Sequence, residues 1–214
     1  MANETTVVLD DRGKRLTFII RQMYALKMEQ WMECAAGLLP EEELKPLGAN
    51  PSAIARLILS RGIYGLVSDD EELTAALLDD LLECCSFFNP ETSERTPCTR
   101  ENIEEFLSDV QTLRQLRESS LRANLAFSLK GQRKPLVLPR EYSFRRAVAE
   151  QTYASTVNIP QVISCLISQG MASLGDLRGS YTYSEALDLL EVLNVRNYNQ
   201  WATSESQKRK GVRR

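Results

Sequence analysis

Histidine is absent from all 214 residues. That removes Ser-His-Asp and Cys-His nucleophile arrangements, imidazole general bases and His-containing metal sites in one step. Carboxylate-only, lysine-based and cysteine-only chemistry remain open. Also missing is any apolar run approaching the roughly 18 residues that a membrane-spanning helix needs. The first residues, MANETTVVLDD, are polar and acidic, so they are not expected to act as a secretory signal. Neither a Walker loop, a Gly-rich dinucleotide fingerprint nor zinc-type cysteine spacing occurs, and there is no internal repeat. These absences lead to the expectation of a non-enzymatic protein without a cofactor.

What is present supports a real core: 43% of residues are hydrophobic. The five cysteines, Cys34, Cys84, Cys85, Cys98 and Cys165, are odd in number and fall mostly in or beside expected helices. They read as free thiols of a reducing compartment. Charge is uneven. Residues 1–130 hold 14 Lys+Arg and 22 Asp+Glu, a balance of −8; residues 131–214 hold 12 and 7, a balance of +5. Two segments with different partners, or with attraction for each other, would show this asymmetry.

The pattern along the chain predicts a mainly α protein: an N-terminal β-hairpin packed on a helical bundle, then a helical C-terminal extension. TTVVL and RLTFII flank Asp10-Asp11-Arg12-Gly13, a hairpin over 5–20 with Gly13 supplying a positive φ. A helix over 24–39 places Tyr24, Met28, Trp31, Ala35 and Leu38 on one stripe. Asn50-Pro51 starts the next helix. Ser68 and Glu71 form a capping box for a helix reaching about Phe88, and 90–99 reads as a loop. A long helix over about 100–130 follows, with Ile103, Phe106, Leu113, Leu116 and Leu121 on its apolar side. Gly131 to Arg140, GQRKPLVLPR, is the expected linker between a 1–130 domain and a 141–203 extension. Within the extension, helices are expected at 142–155 (Phe144, Val148, Tyr153), from Pro160 to Gly170, and at 183–202 behind a Thr182/Glu185 capping box. Residues 204–214 read as a disordered basic tail.

The chemically suggestive clusters each have a plain explanation. Cys84-Cys85 is read as adjacent positions of a helix, which point about 100° apart and make no metal clamp. Asp69-Asp70-Glu71-Glu72 suits a helix N-terminus, and Asp79-Asp80 and Glu41-Glu42-Glu43 suit solvated faces. Lys208-Arg209-Lys210 and Arg213-Arg214 lack interleaved aromatics. No metal site is expected.

Three segments resemble the tail assembly chaperones of long-tailed bacteriophages. In the first, Arg15, Phe18, Ile20, Met23, Ala25, Glu29 and Trp31 follow the order of that family's N-terminal part. In the second, Thr112-Leu113-x-x-Leu116-Arg117 and Asn124-x-x-Phe127 resemble the last helix of its short form. In the third, Leu174-x-x-Leu177, Tyr183 and Leu187-Asp188-Leu189-Leu190-Glu191 resemble the C-terminal extension of its long form. The resemblance implies a short region that binds the tape-measure protein and an extension that recruits tail-tube subunits. It implies action in the host cytoplasm and absence from the mature virion. It also implies that the extension is joined by a programmed frameshift near 131–140, which a single uninterrupted reading frame there would refute. A homo-oligomer is possible in this reading; no membrane or cofactor is involved. Expected contact residues are Tyr24, Met28, Trp31, Leu113, Leu116 and Leu121 for client or subunits, and Leu187, Leu190, Tyr198 and Trp201 for the extension's partner. The alternatives are a structural tail or connector protein that stays in the virion and, with less support, a nucleic-acid-binding regulator using the basic tail.

Overall fold

The computed structural model describes residues 4–48, 50–66, 70–129, 133–134, 136–142, 156 and 158–211. In chain order these hold β1 (Glu4–Asp11), β2 (Lys14–Arg21), α1 (Ala25–Gly37), α2 (Glu41–Leu44), α3 (Pro51–Arg61), α4 (Glu71–Glu83), β3 (Cys85–Asn89), β4 (Glu94–Pro97), α5 (Ile103–Phe106), α6 (Val110–Asn124), α7 (Gln161–Ser168), α8 (Leu174–Gly179) and α9 (Tyr183–Gly211). The chain is mainly α, with one four-stranded antiparallel sheet in the order β1-β2-β3-β4.

The hairpin forms where alternation and turn chemistry coincide. Asp11 pairs with Lys14, leaving a two-residue turn of Arg12 (φ 55°) and Gly13 (φ 86°). Two successive positive φ values match the right-handed twist of the flanking strands, and Asp10 Oδ1 accepts the Gly13 N–H at 2.8 Å. The hairpin is only half of the sheet, however. Ile20 pairs with Cys85 and Ser86 with Pro97. Cys85–Asn89 is therefore a strand where the apolar spacing of Cys84 and Phe88 predicts more helix. The 90–99 loop likewise contains β4. A run of Cys-Ser-Phe-Phe fits either period, and pairing with β2 decides it.

The long helix expected over 100–130 is broken into α5 and α6. Leu107 is extended (φ −115°, ψ 129°), and Asp109 caps α6 by accepting the Gln111 N–H at 2.9 Å. Asp109 ahead of Val110 is a start signal that the continuous stripe obscures. For α4 the cap is Asp70, whose Oδ1 accepts from Leu73 N at 2.9 Å; Ser68 lies outside the described residues. Asn50 accepts from Ala53 N with Pro51 at the first helical position, and Thr182 and Glu185 exchange their capping bonds. Past the end of α3, Gly62 takes φ +68°, and a Cβ there would stand 2.8 Å from Glu118 Oε1, which accepts the Ile63 N–H. The positive φ favours glycine at that corner.

Two apolar clusters lie back to back. One joins Phe18, Ile20, Leu82, Cys85 and Leu116 beneath the sheet. The larger joins Met28, Trp31, Ile58, Leu81 and Leu121 to Ile163, Leu166, Leu177 and Tyr183. Each such buried side chain contributes about 1.5–3 kcal/mol. The larger cluster crosses the expected boundary at 131–140, so 158–193 packs into the core of the N-terminal part. A backbone bond from Ala25 N to Tyr181 O (2.8 Å) and an edge-on contact of Phe127 with Tyr183 (5.1 Å) tie the two parts together. The helix expected at 142–155, with Phe144, Val148 and Tyr153, lies outside the described residues from 143 onward. Finally, α9 continues to Gly211, so 204–211 is helical where a disordered tail is expected.

Candidate partner-binding surface

A partner surface has to be reachable, and half of the expected contact residues are not. Met28 is 1% exposed, Trp31 2%, Leu116 and Leu121 0%, and Leu187 8%. These five stripe positions are buried within this chain. The stripe of α1 faces α3, α4, α8 and α9 at once, and Trp31 Nε1 donates to the Leu77 carbonyl at 3.2 Å. Apolar periodicity marks the buried arc of a helix without saying which chain buries it. The other five expected residues, Tyr24, Leu113, Leu190, Tyr198 and Trp201, are half-buried. They do not converge. The Tyr24 ring sits under the Arg21 guanidinium (5.4 Å), while Leu113 packs on the cluster beneath the sheet. Tyr198 and Trp201 form an aromatic triad with Tyr142, at centroid distances of 5.5 and 5.4 Å.

Exposed large apolar side chains lie on α9 and in the 136–138 segment, and singly at Val8, Val110 and Leu129. Val192 is 58% exposed and Val195 38%, three residues apart and so on one face. Val137, in the segment between Leu136 and Leu138, is 85% exposed. With 29 residues, α9 is about 44 Å long; Tyr183, Ala186, Leu187 and Leu193 are buried near its start, and Tyr198 and Trp201 pack on Tyr142 further along.

The reactive side chains are subdued. Burial raises the Cys84 and Cys98 thiols to about 11, and raises Cys85 further. Cys84 ends α4 and Cys85 starts β3, so they are not neighbours on a helix. Among the described residues, no group of three or more His, Cys, Asp or Glu comes together in a metal-ligating arrangement. No helix among them is long and apolar enough to cross a membrane.

One polar seat stands out. Glu29 is 7% exposed and faces the backbone N–H groups of Val162 and Ile163, which favour its ionised form. These open α7, whose N-cap, Pro160, has no side chain to offer. A carboxylate from α1 thus faces the uncapped start of α7. Burial nevertheless raises the Glu29 carboxyl to about 7, with further upward pressure from Glu33 one turn along. Tyr183, 2% exposed, is pushed well above the ordinary phenol range by burial and by both carboxylates. The sequence carried a signal for this seat. Glu29 lies four residues after Ala25 and three before Met32, inside the buried arc, where a carboxylate is out of place.

A scan of protein-family models and searches among curated proteins and solved structures find no match to this chain.

Proposed function

We propose that the chain is a phage tail assembly chaperone, which holds apolar helices of a tape-measure protein in solution and brings tail-tube subunits to it. The resemblance of three separate segments, in the family's order, supports this reading. In it, the hairpin and its sheet cap a helical bundle, and the C-terminal helices are the extension. The observation that carries partner binding is the pair Val192 and Val195, open to solvent on one face of α9. An apolar face of this kind suits a helical client, which covers it with its own apolar stripe. The acidic balance of residues 1–130 keeps such a complex soluble.

The test is co-expression with the long helical protein encoded next to it. A chaperone raises that protein's soluble yield and co-purifies with it, and the pair Val192→Asp and Val195→Asp abolishes capture while leaving the thermal midpoint unchanged. Client solubility that is the same with and without the chain overturns the reading. Recovery of the chain from purified virions by mass spectrometry favours a structural tail component instead.

A further inference from the structure

Among α1, α3, α7 and α9 lies a cavity of about 170 Å³, lined by Glu29 and Glu33, by Tyr183, and by apolar groups that include Met32, Ile54 and Val162. Its polar groups are unbalanced. Glu29 Oε2 and the Tyr183 hydroxyl are buried and have no hydrogen-bond partner, and no Lys or Arg lines the space. Buried polar atoms are ordinarily paired, and a buried carboxylate ordinarily has a cation. Glu29 and Glu33 are one helical turn apart on the same face of α1, and both act on the Tyr183 hydroxyl. Three oxygen-bearing groups therefore converge from two helices without a positive charge among them.

We propose that this cavity binds a primary ammonium group carried on a short alkyl stem, with Glu29 as its counter-ion. The Tyr183 hydroxyl accepts a second ammonium N–H. Glu33, which is exposed, stands at the mouth and draws the cation in. Met32, Ile54 and Val162 cover the stem. A hard divalent cation fits this site poorly: it asks for six or more oxygen ligands, and the walls here are mostly apolar. An ammonium asks for about three acceptors and tolerates an apolar stem. The groups that face Glu29 are Glu33 on its own helix, the N–H groups of Val162 and Ile163 on α7, and Tyr183 on α9; α7 also brings the uncharged Gln161 to the cavity wall, and α3 presents only Pro51 and Ile54. Because every charged neighbour is acidic, binding of a cation discharges Glu29 of its proton. Affinity therefore rises with pH up to about 7 and levels off above it. The chemistry is shared by a free alkylamine and by a lysine side chain of another polypeptide.

The test uses the full chain with n-butylammonium, with an N-acetylated, C-amidated lysine, and with n-butanol as the uncharged counterpart. Binding is followed by calorimetry and by the methyl signal of Met32. The account expects n-butylammonium to bind at least tenfold more tightly than n-butanol. It expects affinity to fall about tenfold for each pH unit below 7, and Glu29→Gln to lose at least tenfold. Tighter binding of the capped lysine than of the free amine assigns the site to a side chain; the reverse assigns it to a small molecule. Equal binding of n-butanol, a flat pH profile of the wild-type chain, or absence of any binding at millimolar amine overturns the proposal, whether or not the variant folds.

Discussion

Asp11 and Glu29 are both acidic residues shielded from solvent, at 5% and 7% exposure, and each serves the start of a helix from a different element. Their proton affinities move in opposite directions. Asp11, at the end of β1, accepts from Ser108 N at 2.9 Å and Asp109 N at 3.0 Å, one bond to each oxygen, and these donors hold its carboxyl below the ordinary range. Glu29 faces two N–H groups of α7, yet its Oε2 is left without a partner, and the loss of water outweighs their influence. The contrast teaches that a helix N-terminus does not by itself keep a buried carboxylate ionised. Each oxygen needs its own partner, and depth below the surface sets how much those partners must offset. Both oxygens of Asp11 are satisfied; Oε2 of Glu29, on the seam between α1 and the C-terminal helices, is not.

The largest expected effect tests whether that seam is core. Trp31→Ala should cost about 3–5 kcal/mol in denaturant unfolding, from the lost volume and the lost Leu77 bond. A loss below about 1 kcal/mol would return Trp31 to the surface. Next comes the carboxylate pair. Glu29 has a raised folded-state pKa, so its contribution is fully present below its ordinary 4.5 and is lost as pH rises through about 7. Glu29→Gln should therefore stabilise the protein at pH 8 by on the order of 2–3 kcal/mol and have little effect at pH 4. Asp11 has the opposite sign: its contribution is present above its ordinary 3.8 and lost as pH falls through the lower folded value. Asp11→Asn should thus lower the thermal midpoint at pH 7, with the difference closing in acid. The smallest effect belongs to Tyr183→Phe, which removes a hydroxyl that has no partner. It should leave stability within about 1 kcal/mol of wild type, on the stabilising side.

Local signals with a single meaning were legible in the sequence: the Arg12-Gly13 turn, the Asn50-Pro51 start and the Thr182/Glu185 box all stand where the pattern puts them. Signals that depend on a distant partner were not. Cys85–Asn89 is a strand only because β2 lies beside it. The stripe of α1 marks burial, but the sequence pattern does not say that α9, from about 150 residues further on, is what covers it. The polar spine that fixes α4, α6 and the end of β2 is equally hidden. Ser120 Oγ donates to the Leu81 carbonyl at 2.7 Å, and Asn124 Oδ1 accepts the Met23 N–H at 2.7 Å. Ser and Asn in a helix look like surface residues until the elements around them are placed. Glu29 was available as a misfit within an apolar arc, but its partners at the start of α7 were not.

The sharpest single measurement is a carbon-13 titration of the side-chain carboxyls of Glu29 and Asp11 in one sample. The account predicts a Glu29 midpoint near 7 and an Asp11 midpoint below the usual aspartate range. A Glu29 midpoint at the ordinary value of 4.5 would mean that the C-terminal helices do not close over α1 in solution.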